Sequence, residues 1–379
     1  MSIFLTEEQE LIINTAREFA RQELRPRARE IDQSGKWPWD LWKRMMELDF
    51  VSITVPEECG GLGMDILTQC LVVEELCKEC NLMGLILVNH CTIACEALLK
   101  YGTEEQKQKY LVPAAKGEKI GAIAMTEPGA GSDAGSAKTT AVLDGDEWVL
   151  NGSKCFCTGV GLAEIYIVAA LTSPEKGPGG FSAFVVEAGT PGFEFGKIEN
   201  KVGWHGSNAG ELFFKNCRIP KDNILGKVDK GLPLFLSMFD LGRIVLSAGA
   251  LGTAEAALAK AADYSKQRVQ FGKPICKQQA IAFYLAEMAT DIELARSLLY
   301  RTAALKEAGR PFARESAMCK YWICDMVERV CSRAIQIFGG NGLMKEFDVE
   351  RFWRDSRGYS IAEGTSEIQK LVISSYVLK

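Results

Sequence analysis

The residues best placed to do chemistry lie at 361–369, which read Ile-Ala-Glu-Gly-Thr-Ser-Glu-Ile-Gln. Glu363 follows small or apolar residues and precedes Gly364, so the chain can turn tightly there and hold a carboxylate against apolar surroundings. Such a carboxylate is a candidate base. Thr365, Ser366 and Glu367 then offer hydroxyls and an acid to the first turn of a closing helix. The same residues also fit a plain helix cap with Glu363 in a solvated loop, and by itself the stretch leaves both readings open. A second candidate is 125–135, Met-Thr-Glu-Pro-Gly-Ala-Gly-Ser-Asp-Ala-Gly. Gly129, Gly131, Ser132 and Gly135 leave backbone N–H groups bare, so a pyrophosphate or nucleotide could approach closely. Its spacing is not Gly-x-Gly-x-x-Gly and no strand-then-helix unit surrounds it, which argues against a nicotinamide-binding Rossmann unit. A structural turn explains the loop equally well.

These two stretches must be positioned by elements of three kinds. Up to about residue 120 the chain reads as helices: Thr6-Glu7-Glu8-Gln9 has the form of a capping box opening an apolar stripe that breaks near Pro26. Further helices are expected at 39–48, 66–79, 85–101 and 104–115, with a Gly-rich acidic loop at 56–63. From 121 to 228 the periodicity shortens, with strand-length runs at 139–142, 147–150, 165–171, 181–186, 194–195 and 211–214. Asp144-Gly145, Asn151-Gly152 and the glycines at 177–180 separate them as turns. Strands without intervening helices mean an antiparallel sheet or barrel. From 229 to 379 long helical patterns return at 232–267, 278–308, 314–338, 349–354 and 367–378, of lengths that suit a four-helix bundle. The expected fold is α+β and multidomain: a helical domain at 1–120, a middle antiparallel β domain at 121–228 and a helical bundle at 229–379.

Composition excludes several classes of function. Hydrophobic residues make up 47% and charged ones 25%, and the net charge of −5 offers no surface for nucleic acid and no basic arm for anionic lipid. The opening Met-Ser-Ile-Phe-Leu-Thr-Glu-Glu lacks a signal peptide's basic start and apolar core, and no run of about 20 uncharged apolar residues suggests a membrane span. A cytoplasmic protein is expected. Thirteen cysteines, several within apolar helical patterns, suit a reducing compartment where thiols act as small hydrophobes. Cys77-Lys-Glu-Cys80 has metal-knuckle spacing but no matching second pair, so no metal is expected.

Five motifs carry a resemblance: Thr126-Glu-Pro-Gly-Ala-Gly-Ser-Asp133, Asn151-Gly-Ser-Lys154, Arg268-Val-Gln-Phe-Gly272, Gln336-Ile-Phe-Gly-Gly-Asn-Gly342 and Glu363-Gly-Thr-Ser-Glu367. In that order, and over essentially the whole chain, they resemble the signatures of the acyl-CoA dehydrogenase family. The resemblance implies one FAD per subunit, a homotetramer, an acyl-CoA or enoyl-CoA substrate and an electron-transferring flavoprotein as redox partner. It places Glu363 on the family's base, which removes the proton α to a thioester carbonyl. Some members carry that base on the helix after the β domain, where this chain has Gly242. The resemblance further implies that Met125, Thr126, Phe156 and Thr158 face the flavin ring and that Gly131 and Ser132 lie near its pyrophosphate. Arg268, Phe271, Gln279, Gln336 and Gly340 would hold the ADP half from a neighbouring subunit, with Thr365 and Glu367 returning from the C-terminal stretch. Substrate contacts fall on Ser132, Asp240, Arg243 and Gly364, and on His90, Cys91 and Thr92 in a stretch resembling the acyl-pocket wall. His90 and His205 depart from the family pattern and speak against a plain straight-chain fatty substrate. An oxygen-using acyl-CoA oxidase and a non-catalytic scaffold of the same fold are the competing readings.

Overall fold

Thr6 opens the first helix as its side chain predicts: its Oγ1 accepts from Gln9 N at 3.2 Å, and Gln9 Oε1 accepts from Thr6 N at 3.1 Å. The computed structural model describes residues 5–379; residues 1–4, part of the opening segment read for a leader, lie outside them. Helix α1 (Glu7–Phe19) does not break near Pro26. It passes through a π-helical turn (Ala20–Leu24) into α2 (Arg25–Ser34). Pro26 follows directly on the π-turn, whose wider hydrogen-bonding lets the helix continue past a residue that has no N–H to donate. Then come α3 (Trp39–Glu47), α4 (Ile66–Cys77), α5 (Asn81–Leu87) and α6 (Glu96–Tyr101), with a second π-helical stretch, Val88–Cys95, joining the last two. A third, Lys107–Leu111, joins α7 (Glu104–Gln106) to α8 (Val112–Ala115).

The sheet has eight strands: β1 (Gly121–Ala124), β2 (Thr140–Asp144), β3 (Glu147–Thr158), β4 (Ile165–Leu171), β5 (Phe181–Glu187), β6 (Phe193–Ile198), β7 (Ala209–Pro220) and β8 (Ile224–Leu225). The pairing is mostly antiparallel, as expected, in the order β6-β7-β3-β2-β4-β5-β8. Strand β1 joins β4 in parallel, with Gly121 opposite Ile165. Asn151-Gly152, read as a turn, is an irregularity inside β3, where the pairing with β7 slips between Leu150 and Gly152. Thr139 crowds Gly152 so closely that an added Cβ would stand 2.5 Å from its Oγ1.

The third region holds α9 (Gly231–Gln267), a hairpin of β9 (Val269–Gln270) and β10 (Lys273–Pro274), α10 (Gln279–Glu307), α11 (Ala313–Phe338), α12 (Val349–Tyr359) and α13 (Ser366–Val377). Helices α9, α10 and α11 pack on one another, and α11 also carries α12 and α13. Helix α4 reaches this bundle through glycines: a Cβ at Gly252 would stand 2.1 Å from the Glu74 carbonyl, so only a bare backbone allows the approach. The stretch Asn81–Tyr101 and α9 are long and apolar enough to cross a bilayer, yet 78% of each apolar window is buried within the protein, as in core helices. All the cysteines are free thiols, and all but Cys276 are buried.

Candidate active site

Glu363 is held by a short loop between α12 and α13. The Ser360 carbonyl, at the end of α12, accepts from Ser366 N at 3.1 Å and closes the loop at its neck. Thr365 caps α13, its Oγ1 accepting from Ile368 N at 3.4 Å, while Gln369 Nε2 donates to the Gly364 carbonyl at 3.0 Å. These contacts fix a turn in which Glu363 sits at φ 55, in the left-handed region, followed by Gly364 at φ 91. The turn aims the carboxyl inward. Its Oε2 is sealed from solvent and has no hydrogen-bond partner. Burial pushes the carboxyl up from 4.5 to about 7, against the pull of Arg243 and Lys320. The Glu363 N–H donates to no backbone acceptor among the described residues, so an oxygen brought beside the turn would find a free donor.

Gly242 on α9 completes this face. A Cβ there would stand 2.5 Å from Glu363 Oε2, so the glycine makes room for the carboxylate. Next to it, Arg243 is buried and its Nη1 donates to Asp240 Oδ1 at 2.7 Å, leaving Nε without a partner. Burial raises the Asp240 carboxyl despite Arg243, so the pair is a polar group held largely out of water.

The glycine loop lies against β3. Cys155 N donates to the Thr126 carbonyl at 2.9 Å, and the fully buried Lys154 donates from Nζ to the Met125 carbonyl at 3.2 Å and to Glu127 Oε1 at 2.8 Å. Glu127 also accepts from Lys138 N and Thr139 N, at 2.7 and 2.9 Å. Burial would raise this carboxyl, but Lys154 and those N–H groups hold it below the usual range. The loop therefore stands on a buried ion pair. Beside it Phe156 takes φ 54 and leaves its ring 68% exposed, with partly buried Thr158 two residues on and partly buried Met125 and Thr126 across the strand. An exposed aromatic ring on the strand that also carries Thr158 and lies along Thr126 is what a flat heteroaromatic cofactor would cover. Gly131 and Ser132 are exposed on the same loop, and nothing lies within 4 Å of a Cβ at Gly129 or Gly131. The residues present fit a flavin.

The remaining candidates divide. Arg268, Phe271 and Gln279 cluster around the β9–β10 hairpin, Phe271 being 95% exposed, while Gln336 and Gly340 are exposed at the end of α11. Glu367 is exposed at the start of α13. By contrast, His90 and Cys91 are withdrawn from any ligand. His90 is fully buried, its Nδ1 accepting from Gly121 N and its Nε2 facing the Ala114 carbonyl, both at 3.0 Å, and burial lowers its pKa to about 4. Cys91 donates to the Val51 carbonyl at 3.0 Å. Thr92 is engaged as well, accepting from Gln69 Nε2 at 2.8 Å inside the helical region. The polar atoms of these three are spent on the protein itself, so whatever they offer a substrate wall is shape rather than a hydrogen bond. His205 is likewise structural, its ring nitrogens lying 2.9 and 2.8 Å from the Asp32 and Lys201 carbonyls. The two histidines therefore carry no argument about the acyl chain.

Family models for the acyl-CoA dehydrogenase N-terminal, middle and C-terminal domains match residues 6–118, 122–217 and 229–378. The chain belongs to the acyl-CoA dehydrogenase family. It is 45% identical to a short-chain specific acyl-CoA dehydrogenase of Clostridium acetobutylicum, with 100% of both chains covered. It is 46% identical to an NADH-type acryloyl-CoA reductase of Anaerotignum propionicum, covering 100% of this chain and 96% of that one. Among solved structures, a chain in that of the electron transferring flavoprotein of Acidaminococcus fermentans superposes with a TM-score of 0.98 at 45% identity, both chains covered in full. As a member of this family the chain is an oxidoreductase.

Sequence reasoning missed two residues on which the site rests. Lys154 stood inside a quoted motif without a role, and Lys320 was not singled out at all. Each carried a signal, since a lysine on the buried stripe of a strand or helix has to be paired or put to use.

Proposed function

We propose that this acyl-CoA dehydrogenase family member interconverts a short-chain acyl-CoA and its trans-2-enoyl-CoA, with FAD as its cofactor and an electron-transferring flavoprotein as redox partner. The observation that carries the reading is the Glu363 carboxyl, whose Oε2 is sealed from solvent without a partner and given room by Gly242. Such a group has a proton affinity near neutrality, where a general base is most effective. Glu363 would take the proton from the carbon α to the thioester. The thioester oxygen gains negative charge as that proton leaves, and the free Glu363 N–H stands ready to donate to it. Bound FAD supplies the acceptor for the hydride leaving the β carbon.

Met125, Thr126, Phe156 and Thr158 would hold the flavin ring, with Gly131 and Ser132 toward the pyrophosphate. Arg268, Phe271, Gln279, Gln336 and Gly340 would serve the ADP half in a second subunit of a homotetramer, which accounts for so many recognition-type side chains left exposed on one region. Asp240 is a poor alternative base because Arg243 already holds it at 2.7 Å. The short acyl chain and the flavoprotein partner are supported by the relatives named above. Those relatives include both a dehydrogenase and a reductase, and the same residues serve either direction.

The test is Glu363→Gln in the FAD-loaded protein, following exchange of the α proton of butyryl-CoA with deuterated water. Gln keeps the shape but cannot accept a proton, so exchange should slow by at least about a hundredfold while the thioester still binds. Wild-type exchange in Glu363→Gln, or an equal loss in Asp240→Asn alone, would overturn the assignment.

A further inference from the structure

Lys320 is fully buried in the first third of α11. Its Nζ has one hydrogen bond, donated at 2.9 Å to the Ser360 carbonyl. That oxygen also accepts from Ser366 N, so the ammonium grips the neck of the loop that carries Glu363. Lower on the same helix, Asp325 Oδ1 accepts from Ser366 Oγ at 2.7 Å and holds the other side of the neck. Helix α11 is therefore the floor under the base.

The charges around this floor are unevenly committed. From α9, Arg243 is spent on Asp240. From α11, Asp325 is bonded to Ser366, and the Cys324 thiol is pushed by burial up to about 12 and stays neutral. From α13, Glu367 is exposed, with its carboxyl turned to the helix start. Lys320 is left as a buried cation with no ion pair, and Glu363 as a buried carboxyl with no hydrogen bond to Oε2. A methionine of similar length would fill the Lys320 site without desolvating a charge. Filling space is thus no reason for an ammonium here.

We propose that Lys320 is a positioning residue for Glu363, pinning the neck of its loop and supplying the buried positive charge against which its carboxylate ionises. This rests on Glu363 being the base. Burial lowers the proton affinity of Lys320 and Arg243 adds to that, while the carboxylates of Glu363 and Asp325 oppose it. When Glu363 takes a proton the compartment that holds Lys320 loses a negative charge, and when it releases the proton the attraction across the loop is restored. Lys320 thereby favours the ionised base that starts each turnover.

The experiment compares wild type, Lys320→Met, Lys320→Gln and Lys320→Arg, all FAD-loaded, with Glu363→Gln as reference. The pH at which the Glu363 carboxylate infrared band gives way to the acid band is read as a difference against Glu363→Gln, and the pH profile of enoyl-CoA formation from butyryl-CoA is read beside it. Both midpoints should rise by about one unit or more in the Met and Gln variants, since an opposite charge close to a carboxyl shifts it by that order. They should stay near wild type in Lys320→Arg. Lys320→Met should melt no lower than wild type, whereas a merely structural lysine would leave the midpoints in place and lower the melting temperature. Lys320→Gln keeps a donor for the Ser360 carbonyl and decides the matter alone if Lys320→Met does not fold. Unmoved midpoints in a folded neutral variant overturn the proposal. Wild-type activity in Glu363→Gln would instead overturn the base itself.

Discussion

Two carboxylates turned into the interior of this protein have opposite surroundings. Glu127 accepts from Lys154 and from two backbone N–H groups and is held below the usual carboxylate range. Glu363 keeps one oxygen with no partner and is raised to about 7. The difference teaches how one fold makes a strut and a candidate base from the same side chain. A satisfied carboxylate is committed to its charge and serves as scaffolding, while an unsatisfied one can change protonation at working pH. Glu127 holds up the glycine loop, and Glu363 stands free at the end of a braced one.

The comparison breaks most readily at Glu127. Replacing it with Gln leaves the Lys154 ammonium buried without a counter-charge, which should destabilise the protein by about 3–5 kcal/mol. Denaturant unfolding would show this as a lower midpoint, and an unchanged midpoint would mean that the pair does not support the loop. At Glu363 the sign reverses. Its carboxyl is raised from 4.5 to about 7, so its contribution to stability is complete below 4.5 and is lost as pH rises through 7. Above that, the buried charge costs about 1–3 kcal/mol, and Glu363→Gln should remove the cost. The melting temperature of Glu363→Gln minus that of wild type should therefore grow from pH 5 to pH 8. His90, lowered to about 4, is common to both proteins and cancels in the difference. The smallest effect is expected from Gly242→Ala, whose methyl would press on Glu363 Oε2 from 2.5 Å. Displacing the carboxylate by a fraction of an ångström should slow turnover by about tenfold with little change in stability. A silent Gly242→Ala would show that the carboxylate has slack.

Much of this arrangement was legible in the sequence, and the reasons are local. Thr6 and Thr365 announce helix starts because a cap needs only its own side chain and the next turn. Residues 165–171 read as a strand of the observed extent because both faces are buried and the run is continuously apolar. What escaped depends on partners far along the chain. Gly121–Ala124 has no strand pattern of its own and becomes one only beside β4. The π-helical turns have no composition that marks them, and one of them carries the chain past Pro26. At the site, the motifs named Glu363 and Gly242, which the fold brings face to face, but the full burial of His90 was not legible because the letters do not show which way a helix face points. Lys320 was overlooked because its partner, the Ser360 carbonyl, is a backbone atom.

The left-handed backbone at Glu363 has a consequence for anyone engineering this protein. A residue other than glycine in that region bears strain of about 1–3 kcal/mol, which glycine would relieve. Glu363→Gly would also discard a buried charge. A library selected for heat resistance alone should therefore drift toward glycine at 363 and lose turnover while gaining ruggedness. Any screen for a hardier enzyme has to demand product at every round.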